Sequence, residues 1–114
     1  MESITPQELA QSKDKSFMIL DIRDKDSYER GHVEGSLNVD IYGDIHEGDY
    51  ELVKEKLANI PKDRKIVVVC NAGVTAQPAA SILESMGCKA VVLEKGMIGW
   101  NSYSKNNRQA HSNH

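Results

Sequence analysis

Two short stretches of this chain, Ile66-Val67-Val68-Val69 and Ala90-Val91-Val92-Leu93, are apolar at every position. A strand with one wet face alternates polar and apolar residues, whereas an unbroken apolar run marks a strand covered on both faces. A third run, Phe17-Met18-Ile19-Leu20, has the same character. Between the runs lie helical stripes. Val53, Leu57 and Ile60 fall at i, i+4 and i+7, and Ala79, Ile82, Leu83 and Met86 trace one face of a second helix. Buried strands alternating with amphipathic helices define an α/β fold.

Local signals place the remaining elements. Thr5-Pro6-Gln7-Glu8 opens a helix, with Thr5 as N-cap, Pro6 at the first helical position and Glu8 closing a capping box. A short polar helix is expected over residues 24–30, stopped by Gly31, and a short strand over residues 37–41. Residues 42–49, with Gly43 and Gly48, read as a loop, and Pro61 ends the helix before it. With Thr75 as N-cap, Pro78 falls in a first helical turn, where its missing N–H removes no helix bond, and Gly87 follows as the C′ residue. Residues 96–100 suggest a short final turn or helix. From Asn101 the chain is polar, and a mobile tail is expected there. The 114 residues therefore divide into one domain over 1–103 and a polar tail over 104–114.

Charge and composition narrow the partners. A net charge of −3 and the lack of a basic cluster argue against nucleic acid. No apolar run approaches the ~18 residues of a membrane span, and Met1-Glu2-Ser3-Ile4 lacks the layout of a signal peptide. Two cysteines, Cys70 and Cys88, make no disulfide framework. The expectation is a cytoplasmic protein with reduced thiols.

Cys70 stands where a buried strand gives way to Asn71-Ala72-Gly73-Val74-Thr75 and then a helix. Unpaired backbone N–H groups gather at such a junction, and the helix dipole favours negative charge. A thiol there is expected to react as its thiolate, at the strand ends where α/β sheets bind ligands. The bland alternative is a buried, inert cysteine.

The residues add up to a resemblance. Leu20-Asp21-Ile22-Arg23, Tyr28 and Gly31-His32-Val33-Glu34-Gly35-Ser36-Leu37-Asn38 resemble the front signature of the rhodanese, or sulfurtransferase, family. Residues 70–75 resemble its active-site loop, and Gly96-Met97-Ile98-Gly99-Trp100 its closing motif. The resemblance implies a single rhodanese-like domain with a mostly parallel five-stranded sheet flanked by helices on both faces. It also implies a ping-pong reaction needing no cofactor or metal. Cys70 takes a sulfane sulfur from a small donor such as thiosulfate, or from a persulfide that a protein partner can carry. It then passes that sulfur from a Cys70 persulfide to cyanide or a thiol. Asn71, Ala72, Gly73, Val74, Thr75 and Ala76 would form the substrate-binding loop, whose N–H groups can hold the persulfide anion. Gly73 suits a curled backbone, and the Thr75 hydroxyl can donate or cap.

Departures from the family pattern bear on substrate. Many members carry Arg directly after the cysteine and Arg or Lys at the end of the loop; here those places hold Asn71 and Thr75. A loop without cations attracts a small dianion less strongly. The Val74-Thr75-Ala76 ending resembles some thiosulfate and mercaptopyruvate sulfurtransferases. Ser27 replaces the usual Glu of the front motif, with Asp26 or Glu29 as candidate substitutes, and no Gly-Leu-Pro follows Trp100.

Other polar residues have architectural readings. Asp21 and Arg23 are expected to brace the loop as a scaffold pair rather than touch substrate. His32 is expected to make a structural hydrogen bond, since persulfide transfer needs no base once the thiolate exists. His46, His111 and His114 are expected in solvent, outside any metal-ligand spacing. Cys88 reads as core filler, with a redox role as the minor alternative, and Trp100 as packing. Besides a sulfurtransferase, two classes merit comparison: a binding or regulatory module of the same fold, and a phosphatase or arsenate reductase. The second needs an Arg six residues after the cysteine to clamp an oxyanion, and that position is Ala76.

Overall fold

The computed structural model describes residues 2–13 and 16–112. Five strands form one parallel sheet in the order β1-β5-β4-β2-β3: β1 (Ser3–Ile4), β2 (Met18–Asp21), β3 (Leu37–Asn38), β4 (Lys65–Val69) and β5 (Lys89–Leu93). The three apolar runs fall on β2, β4 and β5, the strands flanked on both sides by others. Their pleat sends alternate residues to opposite faces. Ile66, Val68 and Cys70 join Ala90 and Val92 in one core, while Val67, Val69, Val91 and Leu93 build the other.

Helices cover both faces. The first core is closed by α3 (Tyr42–His46) through Ile45, α4 (Tyr50–Lys56) through Val53, and α5 (Ala76–Ser85) through Ala76, Ala79, Ala80 and Leu83. The second is closed by α1 (Pro6–Gln11) through Leu9 and by α6 (Gly96–Ser112) through Met97 and Trp100. The helix α2 (Lys25–Arg30) buries no residue and sits outside both cores. At α1 the capping box forms as its residues dictate. Glu8 Oε1 accepts the Thr5 N–H at 2.9 Å and Thr5 Oγ1 accepts the Glu8 N–H at 3.1 Å. The backbone and side-chain bonds from Thr5 hold the Glu8 carboxyl below its ordinary range. This cap therefore weakens as pH falls through that lowered value.

Three sequence expectations need correction, and one strand is unanticipated. Residues 42–49 are not all loop: α3 forms because Ile41 and Ile45 put a buried pair on one face, and Gly48 at φ 75 ends it with its N–H on the Ile45 carbonyl. The strand expected over 37–41 is only β3, because beyond Asn38 the chain turns toward α3. β1, two residues long, gives too short a pattern to be read in advance. The final turn is a 17-residue helix, α6, extended by a polar stretch without Pro or Gly after Gly99 and by Tyr103 packed 6.2 Å from the Trp100 ring. His114, expected in solvent, lies outside the described residues, as does the side chain of His111. No helix among the described residues is long and apolar enough to cross a membrane.

Candidate active site

Cys70 follows the last residue of β4 and is 1% exposed. The chain then curls back on itself before α5 begins. This curl aims two amides at the sulfur: Cys70 Sγ accepts the Gly73 N–H at 3.1 Å and the Ala76 N–H at 3.3 Å. Such a nest of N–H groups stabilises negative charge without supplying a titrating group. Gly73 adopts φ 87, and a Cβ there would meet the Lys95 backbone nitrogen at 3.0 Å. On the other side of the sheet, the first turn of α6 grips the loop. Met97 N–H donates to the Cys70 carbonyl at 2.8 Å and Ile98 N–H to the Asn71 carbonyl at 3.0 Å.

That grip requires Gly96. Its φ is 53, and a Cβ would stand 2.3 Å from the Cys70 carbonyl oxygen. Gly96→Ala must push α6 and the loop apart. We expect a loss of about 1–3 kcal/mol, read by urea denaturation, with slower alkylation or loading of Cys70. Unchanged stability together with unchanged Cys70 reactivity would show that the contact does not set the loop.

Asp21 and Arg23 are buried and form a forked pair: Arg23 Nε donates to Oδ1 at 3.0 Å and Nη2 to Oδ2 at 2.8 Å. Nη2 also donates to the Gly31 carbonyl at 2.7 Å, and Asn38 Nδ2 donates to the Asp21 and Arg23 carbonyls. These bonds tie β2 to β3 and to the end of α2. Of the pair, Arg23 shares a cavity with Asn71 of the loop. His32 stacks on Tyr28 at 3.9 Å with Nδ1 2.8 Å from the Tyr28 carbonyl oxygen. Ser27 accepts a local duty at the start of α2, donating to Asp24 Oδ1 at 2.7 Å, while Glu29 lies 4.0 Å from Lys25. Cys88 is 7% exposed in the first core, and both cysteines are free.

Thr75 departs from its expected role. It occupies the N-cap position of α5 with helical φ and ψ, −68 and −25, and its side chain makes no capping bond. Thr75 Oγ1 instead lies 3.1 Å from His46 Nε2 on α3. His46 is exposed, as the sequence suggests, but its contact with Thr75, 29 positions away, is not legible from local spacing.

Cations also lie closer than the loop's own composition suggests. A cavity of about 270 Å³ is lined by Arg30, Arg23, Ser27, Gly31, Asn71 and Asn101. Arg23 is committed to Asp21, whereas among the described residues Arg30 makes a long 3.4 Å contact to Ser27 Oγ. A second cavity of about 310 Å³ borders Ala72, Gly73 and Val74 and includes Lys95. Val74 and Ile98 are exposed beside the loop, 70% and 64%.

A parallel five-stranded sheet, a strand-end cysteine in a nest of amides and a glycine-started closing helix together define a class. The chain belongs to the rhodanese-like domain family, whose model matches residues 5–103. It is 33% identical over 87 residues to thiosulfate sulfurtransferase GlpE of Shewanella oneidensis, covering 75% of this chain and 77% of that protein. It is 30% identical over 102 residues to thiosulfate sulfurtransferase GlpE of Pseudomonas paraeruginosa, covering 89% and 84%. A rhodanese-related protein of Thermoplasma volcanium shares its fold, with a TM-score of 0.75 at 23% identity over 90% of this chain and 93% of that one.

Proposed function

We propose that this chain is a sulfurtransferase in which Cys70 is the nucleophile and residues 71–76 form the loop that holds the transferred sulfur. The observation that carries this reading is the pair of amides, Gly73 and Ala76, aimed at Cys70 Sγ. In the first half-reaction the thiolate attacks the outer sulfur of thiosulfate; the S–S bond of the donor breaks and sulfite leaves with its electron pair, giving Cys70-S-S⁻. In the second, cyanide or a thiolate attacks the terminal sulfur. Cyanide leaves as thiocyanate, a thiolate leaves as a persulfide, and the Cys70 thiolate returns. Each exchange is charge-balanced and requires no external oxidant. The amides stabilise the anion throughout without moving a proton.

The two free thiols suit a reducing compartment, which we take to be the cytoplasm. Intact-protein mass spectrometry after separate incubation with thiosulfate, 3-mercaptopyruvate and a cysteine persulfide tests the reading. A gain of one sulfur, about 32 Da, that disappears on adding cyanide is expected. No sulfur gain with any donor would favour a binding module that keeps the fold without turnover.

Donor choice follows from the charge around the loop. With no cation between Cys70 and Ala76, thiosulfate relies on backbone N–H groups and on Arg30 across the 270 Å³ cavity. A charge-assisted hydrogen bond contributes about 1.5–3 kcal/mol, reduced at an exposed side chain by solvent. Asn71→Arg is therefore expected to lower KM for thiosulfate several-fold, and Arg30→Ala to raise it. Both effects should shrink at high salt. Equal KM values in all three proteins at low salt would remove loop charge as the determinant of donor choice.

A further inference from the structure

The contact between His46 and Thr75 has no part in the mechanism above. Among the described residues, His46 is the one side chain outside the loop and α5 that hydrogen-bonds the loop. Its presentation is deliberate in structural terms. It ends α3, whose Ile45 is buried, and its ring packs on Tyr42 with centroids 4.5 Å apart. The helix is also tied to α4 by Lys56, which donates to Asp44 Oδ2 at 2.7 Å and to the Asp40 carbonyl at 3.2 Å. The imidazole therefore reaches Thr75 from a braced element, although the His46 side chain itself is exposed.

Thr75 directly precedes Ala76, whose N–H bonds the sulfur, and Thr75 is only 7% exposed. A hydroxyl has one proton and two lone pairs. Where its partner accepts, the proton is consumed; where its partner donates, the proton is free to point elsewhere and the O–H is polarised for donation. The α5 N-cap bond, the usual use of a Thr at this position, is not made. The hydroxyl is thus held by His46 and by nothing in its own helix.

We infer that His46 is a positioning residue. Its Nε2–H donates to Thr75 Oγ1, turning the Thr75 O–H toward the loop interior as a donor to the terminal sulfur of the Cys70 persulfide. The inference rests on the sulfurtransferase reading and adds a residue from a different element to it. Cys70 Sγ already has its two amides, so the extra donor acts on the outer sulfur that loading adds. His46 touches neither substrate nor sulfur; it acts through Thr75.

The loading equilibrium reads this directly, because the exchange of thiosulfate for sulfite on Cys70 is reversible. At a fixed thiosulfate-to-sulfite ratio, the ratio of persulfurated to free Cys70 is measured by intact mass for wild type, His46→Ala, Thr75→Val, the double variant and His46→Gln. His46→Ala and Thr75→Val should each lower that ratio about threefold or more, the worth of one hydrogen bond. The double variant should fall no further than the worse single one, since the two act as a unit. His46→Gln, whose amide N–H reaches the place of Nε2, should restore most of the ratio. The melting temperatures of His46→Ala and His46→Gln should stay close to wild type, because the His46 side chain is exposed.

An unchanged ratio in His46→Ala, additive losses in the double variant, or failure of His46→Gln to recover would each overturn the assignment. A wild-type protein that takes up no sulfur would instead overturn the sulfurtransferase reading on which it stands.

Discussion

Cys70→Ser should abolish sulfur transfer, by at least about 10³-fold, while the protein folds as before. The exchange of sulfur for oxygen removes the nucleophile and little volume, so the amides of Gly73 and Ala76 keep an acceptor in the nest. Cys88→Ser should retain most activity, since Cys88 lies in the first core with no place in the loop. Thiocyanate formation from thiosulfate and cyanide, alongside circular dichroism, measures both. Equal loss in the two variants with unchanged dichroism would sink a one-cysteine mechanism and point to a Cys70–Cys88 redox pair.

The largest expected change in stability comes from Arg23→Ala. Its guanidinium satisfies both oxygens of Asp21, which is 0% exposed, and also the Gly31 carbonyl. Removing one partner of a buried pair strands the other's charge and costs about 3–5 kcal/mol. For a domain of this size that is a fall in Tm of at least about 10 °C. Replacing both residues, as in Asp21→Leu with Arg23→Met, removes the stranded charge and should recover a good part of the loss. A single Arg23→Ala variant melting within about 3 °C of wild type would show that water reaches Asp21 freely.

The parts of the fold legible in the sequence were those where burial is total. β4 and β5 are apolar at successive positions because a neighbour strand lies on each side and a helix layer on each face, and that environment leaves an unmistakable pattern. Thr5 to Glu8 announced α1 because a capping box is a purely local device. The nest around Cys70 was legible in kind, since strand, curl and helix follow directly in sequence. What stayed hidden depends on contacts between distant segments. α3 has one buried turn and a glycine at Gly43, too little for a helical period. β1 is visible only through its pairing with β5. His46 on Thr75 and Arg30 opposite Asn71 are juxtapositions made by the topology, and no local spacing encodes them. Thr75 shows the limit most clearly: its residue type fits an N-cap, but the hydroxyl is held by a side chain from another helix.

The grip of α6 on the loop has a spectroscopic consequence. Met97 and Ile98 donate their amides to the carbonyls of Cys70 and Asn71, so those two protons exchange with solvent only when helix and loop part. Their deuterium uptake is a readout of loop integrity that needs no substrate and no assay. Ligands that organise the loop should slow both sites together, and Gly96→Ala should speed them before the sheet amides respond. The two amides thereby gauge, residue by residue, how often the resting protein opens around its thiol.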